Sequence, residues 1–291
     1  MTNIAPVKTF TLGHSPDPDD AFMFYAMAKH KIDLRGYDFE HTLQDIQTLN
    51  ERATRGELDI SAVSIHALAY VLDKYALMPC GASMGDGYGP MFVALENTLP
   101  AFDSDDARKE WLKSKKIAIP GKMTSAFLAA QLFLGKFDYV VIPFDEIFDA
   151  VKSGKAEVGL LIHEGQLTYK QEGFEKIVDL GEWWKNDTGL PLPLGGNVIR
   201  KDIPQEEKIV LNEILKESIE YGLKHRMDAV THTLPLARGM ETDLTDKFIG
   251  MYVNDYTLDY GDSGRQAITL FLKRAHEAGL IPAPVALEFL T

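Results

Sequence analysis

Cysteine is almost absent from this chain: Cys80 stands alone among 291 residues. A single cysteine can close no intramolecular disulfide, and it excludes a cysteine-rich metal site. It reads as a small buried residue rather than a nucleophile. None of the eight histidines forms a pair at the spacing that holds zinc on a helix, so no metal is expected. Basic residues are also few. Thirty Lys and Arg against 43 Asp and Glu leave a net charge of −13. Nucleic acid binding needs a basic footprint, so nucleic acid is not an expected partner. An anionic small molecule is not excluded, because a local site in an acidic protein can still be electropositive. No apolar run approaches the length that spans a bilayer, so no membrane is expected. Residues 1–8 lack the apolar core of a secretory signal, which points to the cytoplasm.

What is present is an ordinary globular composition, 45% apolar and 25% charged, at a length that suits two domains or one large one. Strand-like and helix-like segments alternate. Residues 7–13, 37–43 and 58–64 read as strands, and 19–30, 46–55 and 67–72 as helices. A further strand-like stretch at 75–81 leads to the loop Gly85-Asp86-Gly87-Tyr88-Gly89-Pro90. The pattern then restarts, with strands at 116–120, 139–142 and 157–163 and helices at 125–134 and 147–153. Beyond Gly195-Gly196 the chain turns helical, over 205–225, 243–253 and 264–278. Such alternation builds parallel sheets with right-handed crossovers. The order predicts an α/β protein of two lobes. Residues 1–96 and 198–291 form a discontinuous lobe with a helical tail, and 97–197 form an inserted α/β lobe. A ligand cleft lies between them. The glycine-rich loop before the insertion and Gly195-Gly196 after it are the expected crossovers or hinges.

In such sheets ligands bind at the carboxyl ends of the strands, and four places there carry candidate chemistry. The first is His163, after the apolar run Val158-Gly159-Leu160-Leu161-Ile162. A histidine exchanges protons near neutral pH; it can equally be satisfied by a neighbouring backbone carbonyl. Glu164 either orients the imidazole or faces solvent. The second is Ser15-Pro16-Asp17-Pro18-Asp19-Asp20. Asp17 can cap, Pro18 suits the first helical position and the acids favour the helix start, while Ser15 can line the cleft. The third is Ala62-Val63-Ser64, where the Ser64 hydroxyl can cap a helix or hold an anion. The fourth is Thr124-Ser125-Ala126, where free N–H groups at a helix start attract a carboxylate or phosphate. Neither the glycine loop nor Gly121-Lys122 matches a nucleotide-binding pattern. Trp183-Trp184 and residues 188–193 belong either to a cleft wall or to the core.

Several runs resemble the 1,4-dihydroxy-6-naphthoate synthase family of the futalosine route to menaquinone. They are Leu161-Ile162-His163-Glu164, Leu167-Thr168-Tyr169, Val178-Asp179-Leu180-Gly181-Glu182-Trp183-Trp184 and Thr188-Gly189-Leu190-Pro191-Leu192-Pro193-Leu194-Gly195. Ser15-Pro16, Asp20, Thr48-Leu49-Asn50, Gly89-Pro90 and Pro120-Gly121 add to it. The resemblance implies a type II periplasmic-binding-protein-like fold and a cytoplasmic, cofactor-independent lyase acting on cyclic dehypoxanthine futalosine. It implies His163 as general base, and substrate contacts at Ala62, Val63, Ser64, Ser125 and Ala126. Thr124, Ser15 and Asn50 complete the expected binding set. The family's opening usually reads Ser-Pro-Cys-Pro-Asn-Asp, whereas Asp17 and Asp19 stand here. A chorismate dehydratase-type enzyme and a non-catalytic solute-binding protein are the rival activities of the same fold.

Overall fold

In the computed structural model, which describes residues 7–290, the chain folds around two separate sheets. Residues 1–6, most of the amino-terminal segment read above for a signal, lie outside the described residues. The first sheet contains β1 (Lys8–His14), β2 (Tyr37–Leu43), β3 (Ile60–Ser64), β4 (Tyr75–Leu77), β5 (Ser83–Gly85) and, far along the chain, β11 (Leu192–Arg200). Its order is β2-β1-β3-β11-β4, with β5 also paired to β11. The second sheet runs β10-β6-β9-β7-β8, from β6 (Met91–Leu95), β7 (Ile117–Ile119), β8 (Tyr139–Val141), β9 (Val158–Leu161) and β10 (Phe174–Asp179). These are the two lobes. No helix is long and apolar enough to cross a membrane among the described residues.

Strand direction brings the candidate junctions together. β1 and β3 are parallel, so the turns after His14 and Ser64 leave the same edge of the first sheet. β7 and β9 are parallel too, so residues 120–125 and 162–166 leave one edge of the second. β11 runs antiparallel to β3 and sets Gly195 opposite Ser64 and Asn197 opposite Ala62. The glycine pair, expected in a crossover strand or a hinge, is therefore inside a paired strand of the first sheet. Gly196 has no room for a side chain, since a Cβ there would overlap the Tyr260 hydroxyl.

Sequence periodicity and structure differ where burial is not one-sided. The helix expected over 19–30 is two, Pro18–Met23 and Tyr25–Ala28, broken at Phe24. Ala21 through Met27 are all buried, which one face of a straight helix cannot achieve. The Ser218 hydroxyl enters the break, donating to the Met23 carbonyl at 2.7 Å and accepting from the Met27 amide at 3.4 Å. Insertion of a side chain into the helical ladder is a recognised cause of such kinks. β6 lies in the segment that the sequence reading gave to the first lobe, yet it pairs antiparallel with β9 and β10. β11 begins inside the range given to the insertion and pairs in the first sheet. β10 and the helices Asp105–Lys113, Leu180–Thr188 and Arg226–Thr233 are additional to the expected elements.

One apolar core runs through both lobes. It joins Val63 and Leu77 of the first sheet to Phe92, Ile117 and Leu160 of the second, by way of Phe127, Trp184 and Phe271. Trp184 is fully buried and donates its indole N–H to the Pro191 carbonyl at 3.1 Å. Cys80 is buried and burial pushes its thiol pKa up to about 12, so it is no nucleophile. The loop before β6 packs backbone to backbone on the helix Leu180–Thr188, and a Cβ at Gly181 would overlap the Tyr88 carbonyl. We therefore expect Gly181→Ala to destabilise the protein by about 1–3 kcal/mol through overpacking. Urea unfolding checks this, and an unchanged midpoint would contradict it.

Candidate active site

The cleft between the sheets encloses about 750 Å³, its mouth included. Its wall includes Ser15, Asp17, Asp19 and Asp20 after β1, Ala62, Val63 and Ser64 at the end of β3, and Thr124, Ser125 and Ala126 after β7. Leu194 to Asn197 of β11 form another side, with Phe248 and Tyr252 of the helix Thr242–Tyr252. Three of the four junctions marked in the sequence thus converge on one cavity. Trp183 and Trp184 are not in its wall; Trp184 belongs to the core, which settles the open choice made for that pair.

Each junction has a different hydrogen-bond economy, and this decides what it can offer a ligand. Thr124 caps the helix Ser125–Leu134: its hydroxyl accepts from the Phe127 amide at 3.2 Å and donates to the Gly121 carbonyl at 2.9 Å. That hydroxyl is committed. The Ser125 hydroxyl is committed too, donating to the Leu194 carbonyl at 2.6 Å and accepting from the His66 amide at 3.2 Å. What this helix can give an anion is its first-turn N–H groups at Ser125 and Ala126, which have no intrahelical acceptor.

Ser64 is the reverse case. Its hydroxyl makes no cap bond, contrary to the capping option read from sequence. Asn50 holds it instead. The Asn50 side-chain N–H donates to Ser64 Oγ at 3.0 Å, and its oxygen accepts from the Ser64 amide at 2.8 Å. The Ser64 O–H remains to donate into the cleft. Asn50 was expected among the binding residues. It is fully buried and absent from the wall, so its part is to orient Ser64. It also donates to the Met123 carbonyl at 3.3 Å, which ties the two lobes beside the Ser125 turn.

The acidic turn does not behave as a plain helix cap. Asp17 sits at the N-cap position without a side-chain cap bond, and its carboxylate accepts from Arg238 at 2.9 Å. The Asp20 carboxylate accepts from the Ser15 amide at 2.8 Å, and Ser15 Oγ accepts from the Asp17 amide at 2.9 Å. Asp19 and Asp20 face the cleft. Burial, and then the neighbouring acids, raise the pKa of Asp19 well above the usual carboxylate range. Burial raises Asp20 to about 7. The cleft therefore presents N–H and O–H donors from the turns after β3 and β7 and, from the turn after β1, carboxyl groups able to accept from hydroxyls or, when protonated, to donate.

His163 lies just past β9, as the apolar run implied. Its ring is 5% exposed and is packed edge-on against Phe144 and Phe148. Ile162, not His163, is in the cleft wall. Nδ1 accepts the Gly165 backbone N–H at 2.9 Å, so the ring's backbone partner is a donor rather than the expected carbonyl. The neutral ring then carries its proton on Nε2, which is buried without a hydrogen-bond partner. Such an orphaned buried group invites a functional explanation. Burial lowers the His163 pKa, while Glu164 and Asp17 oppose the shift. The Glu164 carboxylate does not face solvent: it is buried, 3.8 Å from Nδ1, and accepts from Arg238 at 2.7 and 2.9 Å. Arg238 and Tyr252 carry no motif and lie in the helical tail, which explains why sequence reading passed over them. The positive φ of +49° at Arg238, before Gly239 at +82°, marks a constrained turn visible only in three dimensions. Among the described residues, no group of three or more His, Cys, Asp or Glu side chains could hold a metal ion.

Known proteins resemble this chain in sequence and in fold. A family model described as menaquinone biosynthesis matches residues 10–277. A 1,4-dihydroxy-6-naphtoate synthase of Streptomyces coelicolor is 36% identical over 289 residues, covering 97% of this chain and 98% of its own. A synthase of the same name from Thermus thermophilus is 33% identical over 279 residues, with coverage of 96% and 98%. A crystal structure of a protein from Archaeoglobus fulgidus superposes with a TM-score of 0.87 at 38% identity, over 97% of this chain and all of that one. The alkanesulfonate-binding protein SsuA from Xanthomonas axonopodis pv. citri superposes with a TM-score of 0.70 at 10% identity, over 97% and 96% of the two chains. The fold is thus that of the solute-binding proteins.

The raised Asp19 gives a signed prediction. Between its unfolded pKa near 3.8 and its higher native one, the folded state holds more protons, so this residue's contribution to stability falls as pH rises. Asp19→Asn removes that cost. We expect the variant to melt about 2–4 °C above the parent at pH 8, with the gain vanishing towards pH 4. Thermal unfolding at both values checks this, and a gain that grows on acidification would contradict it.

Proposed function

The chain belongs to the menaquinone-biosynthesis family, and from this premise we propose that it is a carbon–carbon lyase converting cyclic dehypoxanthine futalosine into 1,4-dihydroxy-6-naphthoate. The reaction as read here needs no cofactor and runs in the cytoplasm. The aromatic carboxylate is held by the first-turn amides of Ser125 and Ala126 and by the Ser64 hydroxyl, with Ala62, Val63 and Thr124 shaping the wall. The sugar-derived part lies towards Ser15, Asp19 and Asp20, and the carboxyl oxygens of the two aspartates accept from its hydroxyls. The acidic turn and an anionic substrate are compatible because the substrate carboxylate is held at the turns after β3 and β7 and not at the turn after β1.

His163 is the base. At neutral pH its lowered pKa keeps the ring uncharged, as a base requires. To take a proton at Nε2 the ring must carry its own proton on Nδ1, which gives up the Gly165 bond. The Glu164 carboxylate, 3.8 Å from Nδ1, is the acceptor that favours this tautomer. Proton removal opens the ring, a carbon–carbon bond breaks, the sugar-derived fragment leaves, and aromatisation drives the product forward. The observation that carries the assignment is the buried, unpartnered Nε2 of the residue that follows Ile162 of the cleft wall, in a protein whose cleft offers both N–H and O–H donors and carboxyl groups.

Purified protein is incubated with cyclic dehypoxanthine futalosine and, separately, with chorismate, and the products are weighed by mass spectrometry. The naphthoate from the first and nothing from the second is expected. A product from chorismate, or none from either, would overturn the reading in favour of the dehydratase or the solute-binding protein. His163→Asn should retain folding and ligand binding while kcat drops about 10²–10⁴-fold; near-parental turnover sinks the base. For the parent, the acid limb of the kcat profile should fall below the ordinary histidine pKa of 6.5, since protonation of His163 is what removes the activity. An acid limb above that value would contradict a neutral buried base.

A further inference from the structure

Residues 163–166 belong to the second lobe by connection, yet the side chains of Glu164 and Gln166 find partners in the first. Arg238 follows the turn Leu234–Leu236, beyond the helix Arg226–Thr233, which packs against the first-lobe helices. Its guanidinium donates to Glu164 at 2.7 and 2.9 Å and to Asp17 of its own lobe at 2.9 Å. It also lies 4.7 Å above the Phe144 ring of the second lobe. Two residues beyond Glu164, the Tyr252 hydroxyl donates to the Gln166 side-chain oxygen at 2.6 Å. Glu164, Gln166 and Tyr252 are all buried. Both bonds join one lobe to the other, and the ring of His163 lies on the segment they grip.

We propose that Arg238 and Tyr252 form a clasp that closes the cleft, and that Arg238 and Glu164 are positioning residues which set the His163 ring for proton transfer. Opening the lobes would strip Glu164 of its cation while leaving it beside the imidazole. A buried carboxylate without its partner is costly, so the segment must rearrange when the cleft opens. Closure restores the pair, and with it the relation of Glu164 to Nδ1. Cleft closure and the state of His163 are thereby one event. The positioning part rests on the reading of His163 as base; the clasp itself does not.

The test uses the full chain with Arg238→Met, Arg238→Lys, Glu164→Gln and the Arg238→Met/Glu164→Gln double variant. Turnover of cyclic dehypoxanthine futalosine and small-angle X-ray scattering are measured in parallel, with circular dichroism confirming that each variant is folded. Arg238→Met should lower kcat by about 10²-fold, the loss typical of a misplaced catalytic group, with a smaller change in KM. Arg238→Lys should recover part of kcat. The double variant should lose no more than the worse single one, because both residues act through the same ring. The Arg238→Met protein should scatter as a more extended particle than the parent. A loss confined to KM, or strictly additive losses, overturns the positioning role. Unchanged scattering in a folded Arg238→Met protein overturns the clasp. If the parent shows no turnover, the proposed reaction fails, and the scattering comparison still decides the clasp alone.

Discussion

A carboxylate taken out of water must be paired and hydrogen-bonded, since the penalty for an isolated buried ion is several kcal/mol even after the protein relaxes. Glu164 is 4% exposed, and its cation lies 74 residues further along the chain, in the other lobe. That one requirement organises the neighbourhood of the site. It draws the turn at Arg238 over the cleft and ties Asp17 into the same network. It also fixes the short segment that follows β9. The neighbouring bond from Tyr252 to Gln166 reinforces the grip. Asn50 and Gln47 also hold the backbone of Met123, so the lobes are fastened at a second place.

Within the cavity, chemistry is divided by what each group has already spent on the fold. The hydroxyls of Thr124 and Ser125 serve the backbone and have little left for a ligand. Ser64, oriented by Asn50, keeps its proton free. Asp19 and Asp20 line the cavity from the turn after β1, with pKa values raised by burial. A ligand that is anionic at one end and hydroxyl-rich at the other satisfies both sets of groups, and a simple dianion does not. The division also accounts for how an acidic protein, at −13 net charge, can keep a pocket for a carboxylate.

Much of this was legible in the residues. β-α alternation announced two α/β lobes, and three strand-to-helix junctions converge as their positions implied. Apolar runs gave β9, and Thr124 marks a real helix start. Illegible features fall into two kinds. Antiparallel partners such as β6 and β10 carry no crossover helix, so their lobe could not be read from order along the chain. Long-range polar pairs leave no periodic trace: Asp17 reads as a cap yet bonds Arg238, and Asn50 reads as a ligand contact yet supports Ser64. His163 is the subtlest case. Its position past a buried strand was readable, but its withdrawal behind Ile162 depends on a backbone N–H two residues later.

The account stands or falls on where a bound ligand meets that ring. A crystal structure of the protein with 1,4-dihydroxy-6-naphthoate is the most direct measurement. The account predicts the carboxylate on the amides of Ser125 and Ala126 and on Ser64 Oγ, the opposite end of the ligand towards Asp19, and His163 Nε2 within about 3 Å of the ligand. A ligand held elsewhere, or an imidazole still sealed behind Ile162 with Nε2 out of reach, would contradict it.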